Sequence, residues 1–218
     1  MLIAIEGVDK SGKETQTMLL LERLLKEGRS AIKIEFPNYT SEASGAVRMY
    51  LNGEMGASPD DVNPYAASVF FAVDRYASYK SSWGKFLDDG GIVIADRYTM
   101  SNMIHQGAKI IGSQERRLYI DWLLDLEFNK IGLPAPDIVI FLDLSMELRM
   151  NLIQKNNSGG ADIHERDQEY LRRSHECARE VAGMLGWKHI DAERGGTLRP
   201  VMDIHEDIYK AVIAIIDN

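Results

Sequence analysis

The sequence is poor in cysteine, in positive charge and in long apolar runs. Its 218 residues contain one cysteine, Cys177, so no disulfide can form within the chain, as is typical of proteins from a reducing compartment. No apolar run approaches the ~20 residues of a membrane-spanning helix. The four apolar residues between Met1 and Glu6 are too few for the core of a secretory signal. We therefore expect a single domain, 1–218, located in the cytoplasm and without a membrane partner.

The deficit of positive charge bears on the kind of partner. Lysine and arginine total 25 against 33 aspartate and glutamate residues, a formal net charge of −8. A protein that binds a nucleic-acid polymer usually presents a basic face, so we predict no such partner. A small phosphate ligand is not excluded, because a few cations and backbone amides suffice to bind it.

Short apolar runs alternate with longer stretches of helical periodicity. The runs are continuous, as in strands covered on both faces; they span 2–5, 31–35, 92–95, 138–142 and 188–190. Helices are predicted after the first run and over 63–87, 113–129, 145–155, 167–185 and 200–216. This alternation predicts an α/β fold, a mainly parallel five-stranded sheet wrapped by helices. Ligands of such sheets bind beyond the carboxyl ends of the strands.

The helix after the first strand has a predicted buried face. Met18, Leu21, Leu24 and Leu25 fall on one stripe at helical spacing. Gly28 is well placed to end this helix.

The segment that leaves the first strand, EGVDKSGKETQ, is close to a phosphate-binding loop. Gly7, Gly12 and Lys13 match the pattern of glycine, four residues, glycine and lysine, but Glu14 replaces the usual serine or threonine. The glycines let amide groups converge on phosphate oxygens, and the following helix adds its positive end. An ordinary connection between a strand and a helix is the alternative.

Two other strand ends carry residues suited to a nucleotide. Asp96 and Arg97 follow the third strand, where the acid suits magnesium and the arginine suits a phosphate; a local ion pair is the alternative. Phe36, Pro37 and Tyr39 follow the second strand and place aromatic surface at the same edge.

Phe71 and Arg75 are four residues apart in a predicted helix and share one face. A ring and a guanidinium so placed can stack on a base and hydrogen-bond its edge. The alternative is a core phenylalanine beside a surface arginine.

The whole set resembles thymidylate kinases, which are P-loop nucleoside monophosphate kinases. The resemblance covers nearly the whole chain and rests on EGVDKSGKETQ, FPNY, FFAVDR, ADRY with SNMIHQGAK, PDIVIFLDLS and DIHERDQEYLRR, in the family's order. It implies a three-layer P-loop NTPase fold, ATP and dTMP as ligands, and Mg²⁺. The implied reaction transfers the γ-phosphoryl group of ATP to dTMP and gives dTDP and ADP.

The resemblance also implies a role for individual residues. The ATP phosphates would be held by Gly7, Lys10, Ser11, Gly12, Lys13, Glu14 and Thr15. dTMP would be bound by Asp9, Phe36, Pro37, Tyr39, Phe71, Arg75, Arg97, Asn102 and Gln106. Phe71 would stack on thymine, Arg75 would hydrogen-bond a ring carbonyl, and Arg97 would bind the acceptor phosphate. The catalytic set would be Asp9, Lys10, Lys13 and Arg97, with the metal near Asp96 and Glu14.

A lid is expected at about residues 155–167, where KNNSGGAD interrupts the helical pattern. Lids need segments of low local stability. Lys155 and Arg166 are its cations, and Lys10 stands where one branch of the family has an arginine in the phosphate loop. Lys10 is thus expected to be the main cation added during transfer.

The chain departs from the family pattern at three positions. Leu152 falls where many members carry a basic residue over adenine, and His105 replaces an aromatic residue near the sugar. A carboxylate at Glu14, ~4 Å from a phosphate charge, would cost on the order of 4 kcal/mol at an effective dielectric constant of ~20. Magnesium ligation would remove this cost, and so would a side chain turned toward a cation.

Three alternatives remain open at the level of the sequence. A deoxynucleoside kinase or another monophosphate kinase would share the fold, and Glu14 would suit a nucleotide-binding protein with impaired catalysis. The apolar segment RLYIDWLLDLEFNKIG either packs on the sheet or contributes to a homodimer.

Overall fold

The structure is a computed structural model and describes residues 1–155 and 163–217. Five strands form one sheet: β1 (Leu2–Gly7), β2 (Ala31–Glu35), β3 (Ile92–Asp96), β4 (Ile138–Asp143) and β5 (Lys188–Asp191). Their order across the sheet is β2-β3-β1-β4-β5, and every neighbouring pair is parallel. A short antiparallel hairpin follows, made of β6 (Glu193–Arg194) and β7 (Thr197–Leu198). The predicted parallel five-stranded sheet is confirmed.

Helices connect the strands. They are α1 (Lys13–Lys26), α2 (Gly45–Leu51), α3 (Pro64–Ser78), α4 (Gly84–Asp88), α5 (Thr99–His105), α6 (Ser113–Leu124), α7 (Met146–Lys155), α8 (Ile163–Arg166), α9 (Gln168–Met184) and α10 (Val201–Ile216). Wider π-type turns extend two of them at Tyr79–Trp83 and Asp125–Lys130. Short 3₁₀ turns occur at Glu42–Ser44, Pro59–Asp61 and Gly107–Lys109. Within the described ranges, no helix is long and apolar enough to cross a bilayer.

The side chains of β1 point alternately to the two faces of the sheet, and each face is covered by a layer of helices, which makes three layers in all. Leu2 and Ala4 pack with helices α5, α6 and α9 in one core cluster. Ile3 and Ile5 pack with α1 and α10 in a second cluster. Successive residues of a strand point to opposite faces, so the sheet has a helical layer on each side, as the P-loop NTPase fold requires.

The predicted buried stripe of α1 is wrong in part. Leu20 and Leu24 are fully buried, whereas Met18 and Leu25 are exposed. The buried face begins at Lys13 and continues through Gln16 and Thr17, because the phosphate loop fixes the rotation of the helix about its axis. Gly28, with a φ of 78°, ends the helix as predicted.

The carboxyl ends of β1, β2 and β3 lie at one edge of the sheet. In the parallel register, Ile5 of β1 pairs with Asp96 of β3, and Glu35 of β2 pairs with the same Asp96. The three following loops therefore begin side by side, and they carry most of the predicted ligand-binding residues.

Candidate active site

Two cavities open at this edge, and the first holds the predicted dTMP-binding residues. Its volume is about 200 Å³. Every residue of the predicted set lines it: Asp9, Phe36, Pro37, Tyr39, Phe71, Arg75, Arg97, Asn102 and Gln106. The rest of its wall is formed by Leu51, Tyr98, Ser101, His105 and His164. The fold therefore brings the predicted set together from four separate stretches of the chain, and Leu51 and His164 add two more.

Arg75 is fixed at one end of the first cavity by a buried carboxylate. Helix α3 carries it; Asn63 caps this helix by accepting from the amides of Tyr65 and Ala66. The Arg75 guanidinium donates from Nε to Glu127 Oε2 at 2.8 Å and from Nη2 to Oε1 at 2.6 Å. Arg75 is 1% exposed and Glu127 is 0% exposed. The alternative of a surface arginine beside a core phenylalanine is thus wrong, and the guanidinium is held in one orientation with Nη1 left toward Asn102.

The amides of Asn102 and Gln106 lie beside Arg75. Asn102 Oδ1 accepts from Arg75 Nη1 at 3.5 Å, and its Nδ2 donates to the Ser68 carbonyl at 3.4 Å. Gln106 is fully buried, and its Oε1 has no hydrogen-bond partner within the described ranges. The cavity end around Arg75 thus offers both donor and acceptor groups to a ligand.

Asp9 and Arg97 form an ion pair at the other end of the first cavity. Arg97 Nη2 donates to Asp9 Oδ1, and Arg149 Nη2 donates to Asp9 Oδ2 at 3.2 Å. Burial disfavours the charged carboxylate, but the positive charges of Arg97 and Lys13 hold the pKa of Asp9 well below its ordinary value. Asp9 is therefore ionised at neutral pH.

His105 also contacts Arg97, whose Nη1 donates to His105 Nε2 at 3.5 Å. Burial lowers the pKa of His105 well below that of an ordinary histidine, and the positive charge of Arg97 lowers it further. This side chain is therefore a neutral imidazole in the cavity wall, where it adds no charge beside Arg97.

Two residues of the site have a left-handed backbone. Lys10 and Arg97 have φ angles of 67° and 69°, and in the described part of the chain no other non-glycine residue has a positive φ. Such conformations are strained for residues with a Cβ atom and occur mainly at functional sites. Among non-glycine residues, this backbone strain is thus found in the turns after β1 and β3, which carry Lys10 and Arg97 to the same cavity.

The second cavity is formed by the phosphate loop and its surroundings. Its lining residues are Asp9, Lys10, Gly12, Lys13, Glu14, Thr15, Glu35, Asp96, Arg97, Leu152 and Leu198. Two residues of the predicted ATP set, Gly7 and Ser11, are buried and are not among them. A Cβ atom on Gly7 would lie 2.7 Å from the carbonyl oxygen of Leu142, so glycine is required here for packing against β4. Asp9 and Arg97 are the two residues that line both cavities.

The amino end of α1 faces the second cavity. Gly12 precedes the helix with a φ of 91°, and no described side chain caps this end, so the first amides of the helix are free to bind an anion. Lys13 Nζ donates to the Val8 carbonyl at 2.8 Å. Burial lowers the pKa of Lys13 to about 8, and Arg97 adds to this effect. The ammonium is thus folded against the loop rather than extended into the cavity.

The carboxylates of the second cavity suit magnesium. Asp96 and Glu14 both line it, together with Glu35. Burial raises the pKa of Asp96, although Lys13 and Arg97 lower it. Mg²⁺ is usually held by one or two carboxylates, with water and substrate phosphates completing its ligands. The residues present fit that requirement.

The family is decided by comparison with known proteins. The family model for thymidylate kinase matches residues 5–208. This chain belongs to the thymidylate kinase family.

Individual thymidylate kinases agree with this assignment. The enzyme of Mycobacterium tuberculosis is 33% identical over 192 residues, which cover 86% of this chain and 87% of that protein. The Homo sapiens thymidylate kinase is 29% identical over 95% of this chain and 87% of its own length. The crystal structure of thymidylate kinase from Ehrlichia chaffeensis has a TM-score of 0.68 at 22% identity, over 97% of this chain and 98% of that one. The resemblance and the fold predicted from the sequence are confirmed.

Several residues of this thymidylate kinase site were not predicted. Glu6 is fully buried at the end of β1 and accepts from the Tyr98 amide and the Ser101 hydroxyl, both at 2.7 Å. A charged residue inside an apolar strand was a usable signal for it. His164 lies within the quoted motif DIHERDQEYLRR, although no role was assigned to it. Glu127 and Arg149 gave no signal, because tertiary contacts place them.

Most of the predicted lid lies outside the described residues. The structure describes neither 156–162 nor the side chains of Lys155 and Arg166. His164, just after this segment, lines the first cavity and hydrogen-bonds the Tyr50 hydroxyl at 2.7 Å.

Proposed function

We propose that this protein is an ATP:dTMP phosphotransferase, which transfers the γ-phosphoryl group of ATP to dTMP and gives dTDP and ADP. The observation that carries the proposal is the meeting of the two cavities at Asp9 and Arg97. Phosphoryl transfer requires a donor and an acceptor aligned end to end, with cations around the migrating group. With ATP in the second cavity and dTMP in the first, the γ-phosphate of ATP and the phosphate of dTMP would meet at Arg97.

The first cavity suits thymidine monophosphate. In the proposed complex, Phe71 stacks on the base, and Nη1 of Arg75, which does not bond Glu127, donates to a ring carbonyl. Asn102 and Gln106 read the base edge, while Phe36, Pro37 and Tyr39 line the floor. The buried Glu127 supports this assignment, because it fixes the orientation of Arg75 without a ligand.

The second cavity suits the triphosphate of ATP. The amides from Gly12 to Thr15 would bind phosphate oxygens, and Lys13 would turn from the Val8 carbonyl to the β- and γ-phosphates. Lys10 and Arg97 would stabilise the charge of the transferred group, and Asp9 would hold Arg97 until the acceptor arrives. No general base is required, because the acceptor phosphate is already anionic.

Asp96 and Glu14 are the proposed holders of Mg²⁺. When bound, the ion neutralises phosphate charge during transfer. Glu14 is exposed at the amino end of α1 and lines the same cavity as Asp96. An oxygen ligand at Glu14 would thus take the place of the usual hydroxyl.

We propose further that the chain is one domain with a lid at about 155–167. A closed lid excludes water and so suppresses ATP hydrolysis, with Lys155 and Arg166 as its cations. A cytoplasmic location stays a prediction.

A homodimer is proposed through the exposed apolar residues of α3. Tyr65, Val69 and Val73 recur every four residues along this helix and are 38%, 40% and 50% exposed. The sequence left open whether the apolar segment that begins in α6 packs on the sheet or contributes to an interface. In α6, Leu118 is 63% exposed while Tyr119 and Ile120 are buried. The α6 helix therefore packs mainly on the core, and α3 offers the larger free apolar surface.

The test is an ADP-coupled assay with Mg-ATP and one acceptor at a time. We expect the fastest ADP formation with dTMP, less with dUMP and none with thymidine, since Arg97 needs an acceptor phosphate. Lys13→Met should slow the reaction by on the order of 10²–10³-fold. Preference for thymidine would instead identify a nucleoside kinase. ATP binding without acceptor-dependent ADP formation would identify a catalytically impaired protein.

A further inference from the structure

Arg149 is a buried cation that lies next to the candidate active site but in the wall of neither cavity. It belongs to α7 and is 0% exposed. Its Nη2 donates to Asp9 Oδ2 at 3.2 Å, and its Nη1 donates to the Leu171 carbonyl of α9 at 3.4 Å. It thus connects the phosphate loop to two helices that are distant in sequence.

The two oxygens of Asp9 are bound by two different arginines. Arg97 contacts Oδ1 and lines both cavities, so an incoming phosphate can reach it. Arg149 contacts Oδ2 and is fully buried, so a substrate cannot reach it. The pair with Arg97 is thus open to a ligand, and the pair with Arg149 is shielded from one.

This asymmetry matters when a phosphate binds. For Arg97 to bind the acceptor phosphate, its contact with Asp9 has to weaken. An ionised carboxylate left without a cation would repel the phosphate and compete for Arg97. Arg149 leaves the carboxylate neutralised and in place, because it keeps the second oxygen occupied.

We propose that Arg149 is a positioning residue for the acceptor phosphate, which acts through Asp9 and leaves Arg97 available to the substrate. The proposal rests on the proposed function, since it requires an acceptor monophosphate at Arg97. It does not involve contact between Arg149 and a nucleotide.

The test compares Arg149→Met and Arg149→Lys with the wild type in the ADP-coupled assay. Arg149→Met should raise the KM for dTMP about tenfold and that for ATP less than about twofold, because a charge-assisted contact on the acceptor side is lost. Arg149→Lys should give a smaller rise in the same KM, since it keeps the charge but loses the planar donor group. Arg179→Met is the matched control: Arg179 is half exposed and bonds Asp143, outside both cavities.

Binding of dTMP to Asp9→Asn, measured by calorimetry, separates positioning from a purely structural role. Without the carboxylate charge there is nothing for Arg149 to neutralise, so adding Arg149→Met should weaken binding less than about threefold. A structural role through the Leu171 carbonyl predicts instead the full loss in this background.

The proposal is overturned if both KM values rise equally, if dTMP affinity is unchanged, or if the effect persists in full without Asp9. If circular dichroism shows that Arg149→Met does not fold, the dTMP-specific rise in Arg149→Lys decides. A wild type without dTMP-dependent ADP formation would refute the proposed function as well. If the wild type is active and the Arg149 variants have the same KM for dTMP as the wild type, only this inference is refuted.

Discussion

The buried pair of Arg75 and Glu127 allows stability to be separated from acceptor binding. The change is Glu127→Gln, which keeps the size of the side chain and removes its charge. Arg75, 1% exposed, would then be a buried cation without its carboxylate. Breaking a buried ion pair from one side costs about 3–5 kcal/mol. For a domain of this size, that corresponds to a fall in Tm of about 6–20 °C.

The assay is urea unfolding followed by circular dichroism, together with calorimetry of dTMP binding. Glu127→Gln should lower the free energy of unfolding by the stated amount and weaken dTMP binding, because the guanidinium loses its fixed orientation. The matched variant Arg75→Met with Glu127→Leu replaces both charges by apolar groups of similar volume. Such replacements are often neutral for stability, apart from about 1 kcal/mol for the Thr99 hydroxyl, which donates to Glu127 at 2.8 Å.

The double variant should thus be nearly as stable as the wild type and yet bind dTMP poorly. The reasoning is refuted if the double variant is as unstable as Glu127→Gln, since packing rather than charge would then govern this site. It is equally refuted if the double variant binds dTMP as the wild type does.

Three further predictions concern the metal, the phosphate loop and pH. Glu14→Thr should change the Mg²⁺ concentration for half-maximal activity by more than about fivefold and the KM for dTMP by less than about twofold; equal effects would contradict metal ligation. Gly7→Ala should cost about 1–3 kcal/mol in urea unfolding and abolish ATP binding, because its Cβ would meet the Leu142 carbonyl. The control Gly183→Ala, with open space around it in α9, should be neutral or stabilising. Burial lowers the pKa of His164 to about 3, so below pH ~6.5 the unfolded chain binds a proton that the folded chain does not. The wild type should lose about 2 kcal/mol on this account between pH 7.5 and 5, and His164→Phe should not; parallel losses would refute the assignment.

Much of the fold was predictable because its cause is local. Continuous apolar runs predicted the five strands within one or two residues. Asp96 and Arg97 were predicted as site residues because ligands of parallel sheets bind beyond the carboxyl ends of the strands. The buried stripe of α1 was mispredicted, because the phosphate loop rather than apolar periodicity sets the face that α1 presents. Leu20 is buried where Met18 and Leu25 were expected.

The partners of the site residues could not be predicted in the same way. Arg149 is 140 residues from Asp9, and Glu127 is 52 residues from Arg75. Contacts over such separations cannot be recognised from helix or strand periodicity in the sequence. A lone arginine or glutamate in an amphipathic helix is normally solvated. Packing of α7 and of the π-type turn that follows α6 creates these contacts, and only the folded chain contains that information.

The two leucines that line the second cavity have a consequence for the choice of the phosphoryl donor. Leu152 and Leu198 can cover the flat face of a purine by dispersion, but their side chains have no polar atom to sense its edge. Adenine and guanine would therefore be held about equally well by these two side chains. Which triphosphate is consumed in the cell would then follow the relative abundance of the two pools rather than any choice made by this pair.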